Sequence, residues 1–212
     1  MSGATIRVIF VGNTNVGKTA LNTRYLQNDF NPEGAPTISP ASSSVTAKTT
    51  TGKEVTLQLW DTAGQERFQS LSQVFYREAN VAIICVDGSD PDSFNSVRVW
   101  ASRVREFEPN CKFVLAVTKI DLVEDRTSIV QLATQTAAEE EMPEGNVFYT
   151  SSKTGECVQE LFAYVATLGD KKVGKVETEN SNNNSQSQKP ASPPAQSVSL
   201  TEGSQKKKKG CC

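Results

Sequence analysis

The stretch GNTNVGKT over 12–19 carries the spacing G-x-x-x-x-G-K-[ST] in full. Each fixed residue type has a chemical reason. Gly12 and Gly17 let the backbone fold into a nest of N–H groups around phosphate oxygens, Lys18 neutralises the β- and γ-phosphates, and the Thr19 hydroxyl is a hard oxygen ligand for Mg²⁺. Thr14, Asn15, Val16 and Ala20 complete the backbone of the cradle. A glycine turn that holds a lysine by chance would not need to follow an apolar run directly or to lead into the helical pattern ALNTRYLQ. Further along, Asp61 closes an alternating apolar run, where a carboxylate can hold Mg²⁺ through its water shell, and Gly64 offers a backbone N–H that can follow a γ-phosphate. A phosphate loop alone leaves ATP-using motors, kinases and GTP-using switches all open.

The elements that must position these groups are legible as apolar runs. TIRVIFV (5–11), VAIICVD (81–87), KFVLAVT (112–118) and NVFYT (146–150) are short and rich in β-branched or aromatic residues, as strands covered on both faces are. Between them Phe94, Val97, Ala101 and Val104 recur at helical spacing, as do Val158, Leu161, Phe162 and Val165. Alternation of strand and helix predicts an α/β fold, a parallel sheet with helices on both sides. One segment breaks the rhythm. SSVTAKTTTGKEVTLQLW (43–60) alternates Val55, Leu57 and Leu59 after a Thr-Gly-Lys turn, predicting a hairpin and one antiparallel strand at the sheet edge.

Composition narrows the function classes. The 212 residues suit one sizeable core. The formal charge is −2, but residues 171–212 hold eight lysines against three glutamates, so the tail is +5 and the preceding body −7. An acidic body argues against nucleic acid as a partner. There is no histidine and no C-x-x-C pair, which removes His-based metal sites and His-based acid/base chemistry. Five cysteines without an export signal point to a reducing compartment, and the short apolar run at the start, interrupted by Arg7, is no membrane span. Ser2 excludes N-myristoylation. Cys85 and Cys111 read as core fillers, Cys157 as incidental at a helix end, Trp100 as helix packing, and Glu139-Glu140-Glu141 as a solvated helix end.

LWDTAGQERF (59–68) decides among the nucleotide users. About forty residues after the phosphate loop, it resembles the second switch of small GTPases, in the form typical of the Rab branch. TKID (118–121) resembles the guanine-reading N-K-x-D element, and SSK (151–153) resembles S-A-K, whose backbone N–H, here that of Ser152, meets guanine O6. The resemblance implies that Thr118, Lys119, Asp121, Ser151, Ser152 and Lys153 surround guanine, that Phe30 stacks on the base, and that Thr37 joins Thr19 and Asp61 at Mg²⁺. Gln65 is the implied catalytic residue, orienting the attacking water, while Arg67 is a switch-surface residue rather than a built-in arginine finger. The implied fold is three-layered, with a mostly parallel six-stranded sheet. Guanine presents two donors, N1–H and the 2-amino group, to one carboxylate, whereas adenine presents neither; an acid at 121 therefore selects GTP and GDP over adenine nucleotides.

Three positions depart from the Rab pattern. Thr118 replaces the usual Asn, as in the Rho branch; Ser39 and the following PASSSV replace a glycine and an apolar strand start in the first switch; Thr14 replaces a frequent Ser. These changes keep a rival in view, a guanine-nucleotide-bound interaction module that hydrolyses little; a P-loop ATPase or kinase leaves WDTAGQE, SSK and the tail unexplained. In Phe75-Tyr76, core packing and effector contact are both open.

The expected domain order is a GTPase domain over 1–170, a disordered linker over 171–205 rich in Ser, Asn, Gln, Lys, Pro and Glu, and a basic di-cysteine end over 206–212. KKKKGCC by itself could be a solvated charge run, or a vicinal thiol pair for metal or redox chemistry. The resemblance implies geranylgeranylation of Cys211 and Cys212, two chains being needed for stable anchoring, with Lys206 to Lys209 attracted to an anionic membrane. The implied location is the cytoplasmic face of an intracellular membrane, cycling with the cytosol. The implied partners are an exchange factor, a GTPase-activating protein, a GDP-dissociation inhibitor, the prenylation machinery and effectors.

Overall fold

The computed structural model describes residues 3–33, 37, 41–61 and 75–181, with side chains as far as Lys171. Six strands form one sheet in the order β2-β3-β1-β4-β5-β6: β1 (Thr5–Val11), β2 (Ala41–Lys48), β3 (Glu54–Asp61), β4 (Val81–Asp87), β5 (Lys112–Thr118) and β6 (Val147–Tyr149). β1 pairs in parallel with β3 and β4, β4 with β5, and β5 with β6; only the β2–β3 pair is antiparallel. The expected sheet, including its antiparallel edge, is the one observed.

Strand burial follows the sequence pattern. β4 is buried at all seven positions, and β3 alternates buried with half-buried residues. Ile9, Val11, Ala82, Ile84 and Val86 face helices α2 (Val97–Phe107) and α3 (Arg126–Glu139) on one side. Ile6, Val8, Phe10, Leu57 and Leu59 face α1 (Lys18–Gln27) and α4 (Val158–Ser181) on the other. Three layers result, with a core on each face of the sheet. Tyr25 of α1 stacks on Phe162 of α4, ring centroids 3.7 Å apart, which locks the two helices of one layer together.

Local chemistry sets the ends of these elements. Asp125 caps α3 by accepting from the N–H groups of Thr127 and Ser128. In the β2–β3 turn Gly52 takes φ +83°, and Thr49 holds both ends by donating its N–H to Lys53 O at 2.8 Å and accepting at its hydroxyl from Lys53 N at 3.1 Å. The turn is also fastened to α4. Thr50 N–H donates to Thr167 Oγ1 at 2.8 Å, and Lys53 pairs with Asp170 at 2.6 Å.

Two expectations are corrected. Helix α4 runs to Ser181, eleven residues beyond the expected domain boundary at 170. Residues 171–181 contain no proline and are dominated by Lys, Glu and Val on an existing helix; adding a turn to a formed helix avoids the nucleation cost that composition alone does not reveal. Glu140 is not a solvated end: it is 7% exposed, and Arg105 donates to its carboxylate at 2.6 Å and to its carbonyl at 2.7 Å. The pair Phe75-Tyr76 divides its roles. Tyr76 is in the core, while half-buried Phe75 packs on Trp60.

At Gly169, α4 packs closely on β1. A Cβ there would lie 2.2 Å from Cγ2 of fully buried Ile6. Since a β-branched strand side chain has little rotamer freedom, Gly169→Ala should destabilise the protein by about 1–3 kcal/mol, seen as a lower midpoint in urea unfolding. An unchanged midpoint would mean that the helix shifts freely at this position.

Candidate functional site

The phosphate loop joins the end of β1 to the start of α1, and its backbone admits few alternatives. Gly12 takes φ +139°, and a Cβ there would meet the carbonyl oxygen of Cys85 in β4 at 2.4 Å. Asn15 and Gly17 then turn the chain through φ +65° and +87°. Helix α1 starts with Gly17 at its N-cap and with no side-chain cap. The N–H groups of its first turn therefore have no intrahelical acceptors and lie at the positive end of the helix dipole, an arrangement that suits phosphate.

Lys18 is 5% exposed and arches back over the loop, donating to Gly12 O at 2.9 Å and Asn13 O at 2.7 Å. Burial pushes its pKa down, opposed by the nearby Cys85 and Asp61. Asp61 is 3% exposed, and its Oδ1 has no hydrogen-bond partner among the described residues. Burial pushes the Asp61 carboxyl up, and the Thr19 hydroxyl and Lys18 pull it down. Thr19 Oγ1 also shares a hydrogen bond with Thr37 Oγ1. A buried orphan carboxylate oxygen beside two hydroxyls is a set of hard oxygen donors that fits Mg²⁺, an ion that keeps several positions for phosphate oxygens and water.

Under this cluster, burial raises the Cys85 thiol to about 12. The folded state holds that proton over a range where the unfolded chain, near 9.0, releases it, so the stability contributed here is complete below pH 9 and is lost as pH rises toward about 12. Cys85 should consequently resist alkylation in the native protein at pH 8, by peptide mass spectrometry, and react once the chain is unfolded.

The base-reading candidates are tied to the phosphate loop by one hydroxyl. Thr118, 1% exposed at the end of β5, offers Oγ1–H to Val16 O at 2.7 Å and Val86 O at 2.9 Å, a single proton shared between the loop and β4. Lys119 sits in the left-handed region at φ +54°, and its ammonium pairs with Asp87 Oδ2 at 2.6 Å. Asp87 Oδ1 in turn accepts from Ser89 N and Oγ at 2.9 and 2.7 Å. Asp121, in a 3-10 turn over Ile120–Leu122, accepts at Oδ1 from Ser151 Oγ at 2.6 Å. Ser151 Oγ itself accepts from Thr154 N at 3.1 Å. Ser152 is buried, Lys153 is exposed, and Phe30 is half-buried just past the end of α1.

The structure thus brings together Gly12, Thr14, Asn15, Val16, Gly17, Lys18, Thr19, Ala20, Thr37 and Asp61 at one end, and Thr118, Lys119, Asp121, Ser151, Ser152 and Lys153 at the other. Ser39, Gly64, Gln65, Arg67, Cys211 and Cys212 lie outside the described residues. Two contributors carry no motif. Trp100, read as helix packing, is indeed buried, and its indole N–H donates to Asn13 Oδ1 at 3.0 Å, pinning α2 to the phosphate loop. The signal was available in the residue type, because a buried indole N–H usually has an acceptor. Arg24 of α1 donates to the carbonyls of Ser152 and Lys153.

The model of the Ras family matches residues 7–171. The Ras-related protein Rab-24 of Dictyostelium discoideum is 35% identical over 98% of this chain and 96% of its own length. The Ras-related protein Rab-21 of Mus musculus is 38% identical over 74% of this chain and 69% of its own, and human Ras-related protein Rab-30 is 36% identical over 76% and 77%.

Proposed function

The chain belongs to the Rab branch of the Ras family of small GTPases, and from that membership we propose that it works as a GTP-driven switch in vesicle trafficking whose nucleotide spans the two ends of the described site. As a member of that family it is a GTPase that binds GTP and GDP, and it acts with regulators and effectors at intracellular membranes. Among the described residues no helix is long and apolar enough to cross a bilayer.

In the proposed arrangement the backbone of residues 12–20 and Lys18 hold the phosphates, with Gly64 following the γ-phosphate. Thr19, Thr37 and, through water, Asp61 hold Mg²⁺, which when bound neutralises charge on the phosphate oxygens. Asp121 accepts from guanine N1–H and the 2-amino group, Thr118 and Lys119 fix the wall of the pocket, and Ser151, Ser152 and Lys153 close over the guanine O6 side. Phe30 stacks on the base, and Gln65 orients the hydrolytic water. Ordering of Thr37 and Gly64 by the γ-phosphate gives GTP and GDP forms with different surfaces, read by an exchange factor, an activating protein and effectors. Lipidated Cys211 and Cys212, handled by prenylation machinery and a GDP-dissociation inhibitor, with the lysines before them, anchor the chain to the cytoplasmic face of a membrane.

The observation that carries this reading is the Thr118 hydroxyl bridging Val16 O and Val86 O. It holds the segment at 118–121 against the loop at 12–19, which supports the reading that one nucleotide meets both. The test is to denature the purified protein and identify the released nucleotide by chromatography. Guanine nucleotide is expected; adenine nucleotide would end the proposal, and GTP that persists even with candidate activators would favour the hydrolysis-poor interaction module.

A further inference from the structure

We infer that Arg24 is a positioning residue that sets how long the guanine nucleotide stays bound, by clamping the loop at 151–154 to the helix that carries the phosphate loop. The inference rests on the guanine-binding reading above and adds a residue that no nucleotide motif contains.

All three nitrogens of the Arg24 guanidinium are engaged. Nε donates to Ser152 O, Nη2 donates to Lys153 O at 2.8 Å, and Nη1 donates to Asn28 O at 2.9 Å and Asn28 Oδ1 at 3.2 Å. Asn28 closes α1 in the left-handed conformation, with its N–H bonded to Arg24 O. The guanidinium is therefore pinned at its own helix end, where a cation also complements the dipole, and reaches across 128 and 129 residues of sequence to two consecutive carbonyls. The opposite side of that loop is held by Ser151 through Asp121 and Thr154. Between the two fastenings, the backbone N–H of buried Ser152 donates to none of the described residues, which leaves it for a ligand acceptor.

Helix α1 begins at Lys18 and Thr19 and carries Arg24 less than two turns further on. Phosphate cradle and base loop are thus cross-linked by a single side chain on a rigid element. Without the fork, the loop would keep the Asp121–Ser151 contact and the backbone bonds of Thr150 and Ser151 but lose its tie to α1, and the open N–H would no longer be aimed from that side. Lysine cannot replace it. An ammonium can donate to two carbonyls, as Lys18 does, but it cannot present a planar fork to two neighbours while also holding Asn28.

The test compares release rates of GDP and 6-thio-GDP, in which sulfur replaces the O6 acceptor, from full-length wild type, Arg24→Lys and Arg24→Gln. Wild type is expected to release 6-thio-GDP faster than GDP. Both variants should release GDP about ten-fold faster or more, and the ratio between the two ligands should fall toward one, since an N–H that is no longer aimed discriminates poorly between oxygen and sulfur. The ratio between IDP and GDP, which reports the 2-amino contact of Asp121, should be preserved. A merely looser fold would raise all rates together and keep every ratio, and that result overturns the inference. Unchanged GDP release from either variant also overturns it while leaving the guanine-binding reading intact. Wild type that retains no guanine nucleotide overturns both.

Discussion

Replacing Asp121 with Asn is expected to weaken GDP and GTP binding by about 10⁴-fold and to raise affinity for xanthine nucleotides. A carboxylate accepts from both guanine donors; a carboxamide brings one acceptor and one donor, so the guanine 2-amino group would face an N–H₂. Xanthine keeps N1–H and carries an oxygen at position 2, which matches the carboxamide. The fold should tolerate the change, because the bond from Ser151 Oγ to Asp121 Oδ1 at 2.6 Å needs only an oxygen acceptor that Asn also provides. Titration with fluorescent GDP and XDP measures both arms. Retention of wild-type GDP affinity would remove Asp121 from base recognition.

Gln65→Leu should leave nucleotide affinity close to wild type and slow GTP hydrolysis, with its largest effect in the presence of an activating protein. Phosphoryl transfer asks the protein mainly for position and charge. Buried Lys18 and the oxygens of Asp61, Thr19 and Thr37 lie at the end proposed to hold the phosphates, and Gln65 is the residue proposed to orient water. An arginine supplied by an activator contributes about 10³- to 10⁵-fold, and that acceleration depends on a correctly placed water, so the variant should lose most of it. Single-turnover phosphate release, with and without the activator, is the measurement. Equal rates in wild type and variant would assign water positioning to another group.

The sheet was legible in the sequence because its strands obey one simple constraint. A strand covered on both faces must be apolar throughout, and VAIICVD and KFVLAVT can hardly be anything else. The turn between β1 and α1 was legible because its glycines and lysine stand at a fixed spacing, while the role of the acid at 121 came only with the resemblance of TKID. What escaped depends on pairs of residues far apart in the chain. Nothing around Arg24 announces two carbonyls more than a hundred residues away, and nothing around Glu140 announces Arg105 on another helix. The extent of α4 escaped for a different reason. Its last turns are extensions of a helix whose apolar stripe lies earlier, at Val158, Leu161, Phe162 and Val165, so the periodic signal stops before the helix does.

The fastening of the β2–β3 turn to α4 has a mechanical consequence. Thr50 and Lys53 on the turn, and Thr167 and Asp170 on the helix, join the strand that follows Thr37 to the element that leads toward the C-terminus. A displacement of α4 at Thr167–Asp170 therefore cannot leave the β2–β3 turn in place without breaking the threonine contacts and the ion pair. The exposed ion pair contributes little to stability, on the order of 1 kcal/mol or less. Its value lies in register, fixing which turn of the helix faces the hairpin.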